Sequence, residues 1–150
     1  SLVELTKHPD QWALLKNGSD LDTAVEEFIR FVTPIHNMCR VATEDYEIGG
    51  RIIRKGQQVV LMYSSANRDP LHFDNPEQLD VTRNPNHHIA FGFGTHFCLG
   101  ASLARLEIKL FFEIFLERIA SIKLVSDPVE MPNSFVYGLS SCLMRLEKEN

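Results

Sequence analysis

Cysteine is scarce in this chain, which has it at positions 39, 98 and 142 and nowhere else. An odd, widely spaced set of cysteines does not make a disulfide framework and is typical of a reducing compartment. The chain also lacks an apolar run approaching the roughly twenty residues that span a bilayer, and its first residues lack the charged and apolar regions of a signal peptide. We therefore expect a cytoplasmic protein with no membrane span in this chain.

Positive charge is not in excess either, because 15 lysines and arginines stand against 20 aspartates and glutamates, for a formal net charge of −5. That balance gives no support to nucleic-acid binding. Hydrophobic residues make up 44% and charged residues 23%, which are ordinary values for a folded protein. There is no internal repeat, and 150 residues suffice for one core but not for two ordinary domains. Residues 1–150 are therefore predicted to form a single unit.

A glycine-rich loop over residues 91–100 carries the most specific pattern in the chain, Phe-Gly-Phe-Gly-Thr-His-Phe-Cys-Leu-Gly. A helix is predicted to begin at Ala101, so the loop places Cys98 at a helix N-terminus. Glycine permits positive φ and close approach of the backbone to a flat ligand, while the helix N-terminus favours a thiolate anion. A thiolate is the axial ligand that pushes electron density onto haem iron. The loop therefore predicts a cysteine that binds a metal.

This loop resembles the haem-binding loop of the cytochrome P450 family, whose pattern Phe-Gly-x-Gly-x-His-x-Cys-x-Gly it matches without a departure. The resemblance covers essentially the whole chain and is greatest to soluble bacterial members. It implies an α+β, mainly α fold that is the C-terminal, haem-ligating half of a P450 domain. That half contains a small β-sheet, a meander, the cysteine loop and the long helix after it. The N-terminal portion of such a domain, with its oxygen-activating helix, is expected to be absent from residues 1–150.

The resemblance also implies roles for individual residues around a haem b cofactor. Cys98 matches the proximal iron ligand and thus the catalytic centre, and Phe91 matches the aromatic residue beside the sulfur. His96 and Arg40 match partners of the haem carboxylates, in keeping with the affinity of carboxylates for arginine. The remaining cofactor contacts are small residues that let the chain approach the porphyrin: Gly92, Gly94, Gly100 and Ala104.

A second pattern lies upstream, in a helix predicted over residues 23–31. Glu27 and Arg30 are three residues apart, so they share one helix face and are expected to form an ion pair. By resemblance this pair is a structural lock and not a catalytic dyad, and Arg83 from the meander completes a three-member network. We therefore expect all three side chains to be scaffold for the cysteine loop.

The other elements are predicted from periodicity and from glycine and proline. The helix over residues 23–31 is expected to begin with a Thr23-x-x-Glu26 capping box. A long helix over residues 101–119 is predicted to bury the apolar positions that recur at helical spacing: Leu103, Leu106, Leu110, Ile114 and Phe115. We predict a hairpin through Gly49-Gly50 at residues 46–53 and an interior strand at residues 58–63. A polar meander is predicted at residues 73–85 and a terminal hairpin at residues 135–146.

Two further segments, residues 33–38 and 134–137, resemble pocket walls on the side of haem opposite the cysteine. Their apolar members are Ile35, Met38, Phe135 and Val136. The resemblance implies a monooxygenase that inserts one oxygen atom of O₂ into an apolar small-molecule substrate, which could be lipid- or steroid-like. Electrons would come from a ferredoxin or flavoprotein. Arg105 and Lys109 are candidate contacts for that donor, although an ordinary solvated helix face is the simpler explanation of both.

Several alternatives stay open. One is a non-catalytic haem-binding fragment, inactive without N-terminal helices, or a swapped homodimer in which two copies cover each other. Another is peroxide-driven oxidation at the same site. A zinc site at His96 and Cys98 is disfavoured, because their spacing is too tight and no second ligand pair completes it. The remaining predictions are two surface histidines and two small buried cysteines: His87, His88, Cys39 and Cys142.

Overall fold

The computed structural model describes residues 1–149 and contains both predicted helices, over residues 23–31 and 101–119, together with three shorter ones. They are α1 (Leu2–Lys7), α2 (Pro9–Lys16), α3 (Leu21–Val32), α4 (Tyr63–Ala66) and α5 (Ala101–Arg118). The polar meander over residues 73–85 has turns but neither helix nor strand, which confirms its prediction. Among the described residues no helix combines the length and the apolar character needed to cross a lipid bilayer.

Helix α3 begins two residues earlier than predicted because Asp20 caps it. The Asp20 carboxylate accepts hydrogen bonds from the Thr23 backbone N–H at 2.9 Å and from the Thr23 hydroxyl at 2.6 Å. The predicted Thr23-x-x-Glu26 capping box is wrong, since Glu26 pairs instead with Arg105 of α5. The helix ends at Thr33, whose left-handed backbone, with φ at 41°, turns the chain away from the helix axis.

The core forms where α3 packs on α5. Phe28 of α3 and Phe112 of α5 stack with ring centroids 4.6 Å apart, and their exposed fractions are 1% and 2%. Leu79 and Val81 of the meander join the same cluster. Removal of these large apolar side chains from water is the main favourable contribution to folding here, and it ties the meander to both helices.

The buried face of α5 is not the predicted one. Phe112 is buried, and Ile108, Phe115 and Leu116 pack against the same core. The predicted positions are exposed, apart from Phe115: Leu103, Leu106, Leu110 and Ile114. The helix has apolar residues on two sides, and within residues 1–149 α3 covers only one of them. Helical spacing identifies apolar sides but cannot tell which of the two becomes buried.

The strands are β1 (Asn37–Val41), β2 (Tyr46–Ile48), β3 (Arg51–Ile53), β4 (Gln58–Met62), β5 (Ile119–Leu124), β6 (Val129–Glu130), β7 (Leu139–Ser141) and β8 (Met144–Lys148). In the part of the chain that the structure describes they make four separate antiparallel pairs, β1 with β4, β2 with β3, β5 with β8 and β6 with β7. The β2–β3 pair turns through Gly49 and Gly50, both at positive φ, which confirms the predicted hairpin.

Two strand predictions are wrong. The strand predicted as interior, β4, is largely exposed, with Val60 at 52% and Met62 at 50%, because β1 is its one partner among residues 1–149. The predicted terminal hairpin does not form, since Val136 makes a bridge with Ile35 and β8 pairs with β5. In both cases the pairing partner is distant in sequence, so the local pattern could not identify it.

Cys39 and Cys142 were expected to be buried, and that expectation is wrong. Both thiols are free and exposed. Cys39 lies on β1, in a pair of strands that the described residues leave open, and Cys142 follows β7 in the connection to β8. Their hydrophobicity therefore contributes nothing to the core.

We predict that Phe28→Ala lowers the free energy of unfolding by about 3–5 kcal/mol, because it removes a stacked aromatic ring and leaves a cavity against Phe112. Urea denaturation followed by circular dichroism measures the change. Leu71→Ala is the control, since Leu71 is 87% exposed, and its effect should stay within about 0.5 kcal/mol. Equal losses in the two variants would show that the core does not lie between α3 and α5.

Candidate functional site at the cysteine loop

The cysteine loop is a closed turn that leads directly into α5. Gly92 and Gly94 have φ values of 75° and 71°, a region in which other residues are strained, so glycine is required at both. The Cys98 N–H donates to the Phe91 carbonyl at 2.9 Å and closes the turn. The Cys98 carbonyl then accepts from the Ala101 N–H at 3.2 Å, at the first residue of α5. The exposed Cys98 side chain therefore stands at the N-terminal end of an 18-residue helix.

A cavity of about 560 Å³ opens beside the first half of the loop. Its walls are mainly apolar or backbone, from β4, α4 and the loop itself, with one arginine and one histidine among them. The lining residues are Arg40, Val60, Leu61, Met62, Tyr63, Ala66, Ile89, Gly92, Phe93, Gly94, Thr95 and His96. The structure thus brings Arg40, from β1, to the same cavity as His96, although 56 residues separate them in sequence.

Glu27 and Arg30 are fully buried and paired by two hydrogen bonds. Arg30 Nε donates to Glu27 Oε2 at 2.7 Å, and Arg30 Nη2 donates to Glu27 Oε1 at 2.8 Å. From the meander, Arg83 Nε donates to Glu27 Oε2 at 3.1 Å and the Asp80 N–H donates to Glu27 Oε1 at 2.9 Å. Arg30 Nη1 in turn reaches the Pro76 carbonyl at 2.9 Å. One buried carboxylate therefore anchors the path of the meander to α3.

A second charged cluster was not anticipated from the sequence. Glu26 accepts from Arg105 Nε at 2.5 Å and Nη2 at 2.9 Å, and lies 2.9 Å from His88 Nε2. His88 was predicted to be a surface residue, which is wrong, because its side chain is 2% exposed. Partial burial by itself raises the pKa of Glu26, but hydrogen bonds from His88 and Arg105, with the charge of Arg105, lower it from 4.5 to about 2.

Arg105 and Lys109, the candidate contacts for an electron donor, are both engaged within the chain. Arg105 donates two hydrogen bonds to the Glu26 carboxylate, and Lys109 Nζ lies 2.8 Å from Asp22 Oδ2. Both pairs join α3 to α5. Arg105 is therefore part of a partly buried cluster, whereas the Lys109 pair lies at the surface, as expected of a solvated helix face.

Buried Asn67 is another residue that sequence reasoning missed. Asn67 Nδ2 donates to Thr33 Oγ1 at 2.9 Å, and Asn67 Oδ1 accepts from the Ile89 N–H at 2.8 Å. The Asn67 carbonyl also accepts from Arg30 Nη1 at 2.8 Å. An asparagine just after a short helix is no signal by itself, because turn residues of this kind are common. Its partners show that it links the end of α3 to the irregular segment before the cysteine loop.

The two segments predicted to form pocket walls do lie side by side. The His36 N–H donates to the Phe135 carbonyl at 2.9 Å, and the Tyr137 N–H donates to the Pro34 carbonyl at 2.7 Å. None of the apolar members named for these walls lines the cavity beside the cysteine loop: Ile35, Met38, Phe135 and Val136. Their place relative to a bound ligand stays a prediction.

The residues around the loop fit a haem group. They offer one exposed thiol at a helix N-terminus, an apolar cavity beside the first half of the same loop, and Arg40 and His96 in the cavity lining as donors for carboxylates. Ala104, whose N–H donates to the Gly100 carbonyl at 2.9 Å, is a small residue in the first turn of α5. For zinc the fit is poor, because no three His, Cys, Asp or Glu side chains in residues 1–149 come close enough to share a metal ion.

Comparison with known proteins agrees with this geometry. The family model described as Cytochrome P450 matches residues 3–139. The chain belongs to the cytochrome P450 family. That membership makes haem the cofactor and confirms the expected fold, the mixed helices and small sheets of a P450 fragment.

The relatives include bacterial proteins. A steroid C26-monooxygenase of Mycobacterium tuberculosis is 47% identical over 142 residues, which cover 92% of this chain and 38% of that protein. The crystal structure of P450BioI in complex with hexadec-9Z-enoic acid ligated acyl carrier protein has a TM-score of 0.92 and 40% identity, over 97% of this chain and 38% of that one. CYP109E1 from Bacillus megaterium, in complex with corticosterone, has a TM-score of 0.88 and 34% identity, over 93% of this chain and 38% of that one. The chain thus spans about 38% of the length of each.

We predict that Glu27→Gln lowers the free energy of unfolding by about 3–5 kcal/mol, because it leaves the buried guanidinium of Arg30 without its counter-charge. Urea denaturation measures the loss. Asp22→Asn is the matched control on the same helix, since the Asp22 side chain is 70% exposed, and it should cost less than about 1 kcal/mol. If Glu27→Gln lowers the free energy of unfolding as little as the control does, the buried pair does not stabilise the fold.

We also predict a pH-dependent contribution from Glu26. Its pKa is about 2 in the folded chain against an ordinary value of 4.5, so the stabilisation is complete above pH 4.5 and is lost as the pH falls towards 2. The difference in free energy of unfolding between the native chain and Glu26→Gln should therefore be largest near neutral pH and shrink through that window. Urea denaturation at a series of pH values measures it, and a difference that does not change with pH contradicts the assignment.

Proposed function

We propose that this chain is the C-terminal, haem-ligating portion of a single P450 domain whose activity is that of a haem-thiolate monooxygenase. The observation that supports it best is the exposed Cys98 at the N-terminus of α5, in a loop whose first half borders an apolar cavity lined by Arg40 and His96. The reaction inserts one oxygen atom of O₂ into an apolar substrate. The three free cysteines support a reducing compartment, the cytoplasm, as its location.

Each residue of the site has a definite task in this proposal. Cys98 Sγ would bind the iron of haem b, and Phe91 would pack beside the sulfur. Arg40 and His96 neutralise the haem carboxylates. When bound, haem with a thiolate ligand supplies the O–O bond cleavage that side chains cannot perform. The remaining contacts are made by small residues against the porphyrin: Gly92, Gly94, Gly100 and Ala104.

The chain's own contribution is to orient the cysteine ligand. The buried Glu27, Arg30 and Arg83 network holds the meander against α3, and five residues, 86–90, connect the meander to the cysteine loop. The first half of the loop borders a cavity whose walls are mainly apolar, as a site for an apolar cofactor requires. Preorganisation of this kind is how a protein tunes a cofactor that carries the chemistry.

An apolar substrate of lipid or steroid type is part of the proposal. The relatives' names support it, since one is a steroid monooxygenase, one is bound to corticosterone and one holds a fatty acyl carrier protein. The candidate walls of this chain are apolar: Ile35, Met38, Phe135 and Val136. The electron donor in this proposal is a ferredoxin or a flavoprotein.

A second candidate is a haem-binding fragment without catalysis, or a homodimer of two copies. It is favoured by the exposed apolar stripe on α5, which no described residue covers: Leu103, Leu106, Leu110 and Ile114. Turnover of a steroid or fatty acid with a ferredoxin, its reductase and O₂ supports the enzyme, whereas haem binding without turnover and a doubled mass in gel filtration support the dimer. Turnover with peroxide alone supports peroxide-driven oxidation.

We predict that the chain mixed with haem, dithionite and carbon monoxide shows the long-wavelength Soret band of a thiolate adduct, and that Cys98→Ser abolishes it because the sulfur ligand is lost. Absorption spectroscopy measures the band. Cys39→Ser and Cys142→Ser are matched controls, since both remove an exposed thiol elsewhere and should keep the band. A band that survives Cys98→Ser, or that disappears in a control, contradicts the ligand assignment.

A further inference from the structure

We propose that Glu26, His88 and Arg105 are positioning residues that hold the Phe91 ring, and through it the turn that presents Cys98. This inference rests on the proposed function in one respect, which is that Cys98 is the haem ligand. The three residues come from α3, from the segment before the cysteine loop and from α5, so their cluster joins the elements on both sides of the loop.

The first step is the link between the helices. Arg105 meets the Glu26 carboxylate in a two-pronged arrangement, with Nε 2.5 Å from Oε1 and Nη2 2.9 Å from Oε2. Such a fork restricts the guanidinium plane as well as its position. Because Glu26 is fixed on α3, the plane of Arg105 is set by the packing of α3 against α5.

The second step joins this pair to the chain before the loop. The Ala90 N–H donates to His88 Nδ1 at 3.2 Å, so the proton is assigned to His88 Nε2, which donates to Glu26 Oε2 at 2.9 Å. The histidine ring is buried, with 2% of its side chain exposed. The backbone immediately before Phe91 is therefore attached to α3 through one side chain.

The third step reaches the loop itself. The guanidinium carbon of Arg105 lies 4.7 Å from the centroid of the Phe91 ring, in a cation–π contact. The carbonyl of Phe91 accepts the Cys98 N–H that closes the turn, at 2.9 Å. A displacement of Phe91 therefore changes the hydrogen bond that sets the position of Cys98.

The chain supplies a matched control. Asp22 and Lys109 form a second ion pair between α3 and α5, with Lys109 Nζ 2.8 Å from Asp22 Oδ2. Lys109 lies four residues after Arg105 on the same helix, but its side chain donates a hydrogen bond to Asp22 and not to the cysteine loop. Loss of either pair removes one helix-to-helix contact, and only the Arg105 pair continues to Phe91.

The experiment measures backbone amide hydrogen exchange by NMR in the full chain without added haem. For Arg105→Gln and Glu26→Gln we expect the Cys98 amide to exchange about tenfold faster, while the Phe28 amide in the core changes by less than about twofold. For Lys109→Gln we expect both amides to keep their native rates. His88→Gln, which removes the imidazole link to Ala90, should resemble Arg105→Gln.

Two results would overturn the inference. One is an unchanged Cys98 exchange rate in Arg105→Gln and Glu26→Gln. The other is equal acceleration at Cys98 and Phe28, which would show loss of global stability and not of loop position. Arg105→Lys gives a test in a milder variant, because it keeps the charge without the planar fork. Complete retention of the native Cys98 rate would also overturn the role of the guanidinium over the Phe91 ring.

A second readout separates this inference from the proposed function. With haem, dithionite and carbon monoxide, Arg105→Gln should reduce the fraction of thiolate adduct, while Lys109→Gln retains it. If Cys98→Ser fails to remove the band, the proposed function fails, but the exchange data on the haem-free chain still decide whether the cluster positions the loop. If the band depends on Cys98 and the exchange rates do not depend on Arg105, the positioning role fails alone.

Discussion

The burial of one carboxylate, that of Glu27, is the constraint on which the surroundings of the cysteine loop depend. A carboxylate removed from water is tolerated only when donors surround it. Here Arg30 supplies two, and Arg83, Asn86 and the Asp80 backbone supply one each. Because three of these five donors belong to the segment after residue 79, the meander has to return to α3 for the charge to be satisfied. A stretch without helix or strand thereby acquires a defined path.

Glu26 and Glu27 are adjacent in sequence and point to different partners. Glu27 is directed to the meander, whereas Glu26 is directed to Arg105 of α5 and to His88. Helix α3 is thus bonded both to the segment before the cysteine loop and to the helix after it. The arrangement places rigid, charge-assisted hydrogen bonds on both sides of a glycine-rich turn, which on its own would have little conformational preference.

Local signals explain why parts of this structure were predictable. The cysteine loop, the start of α5 and the β2–β3 hairpin depend on glycines and on residue spacing within a few positions, and these features correctly indicated the family. The buried face of α5 was not predictable in the same way, because the helix is apolar on two sides and α3 selects one. Val136 likewise pairs with Ile35, about a hundred residues away, and no local pattern identifies that partner.

The amino-acid sequence by itself determined which residue types stand at the loop, that Cys98 precedes a helix, and that Glu27 and Arg30 share one helix face. Only the tertiary structure decided that Arg40 and His96 line one cavity, that His88 is buried, and that the Arg105 guanidinium lies over the Phe91 ring. The physical reason is the distance along the chain over which each interaction acts. Glycine conformations and helical spacing act between neighbours along the chain, whereas the partners of Glu26 lie 62 and 79 residues away and meet it only after α3 and α5 have packed.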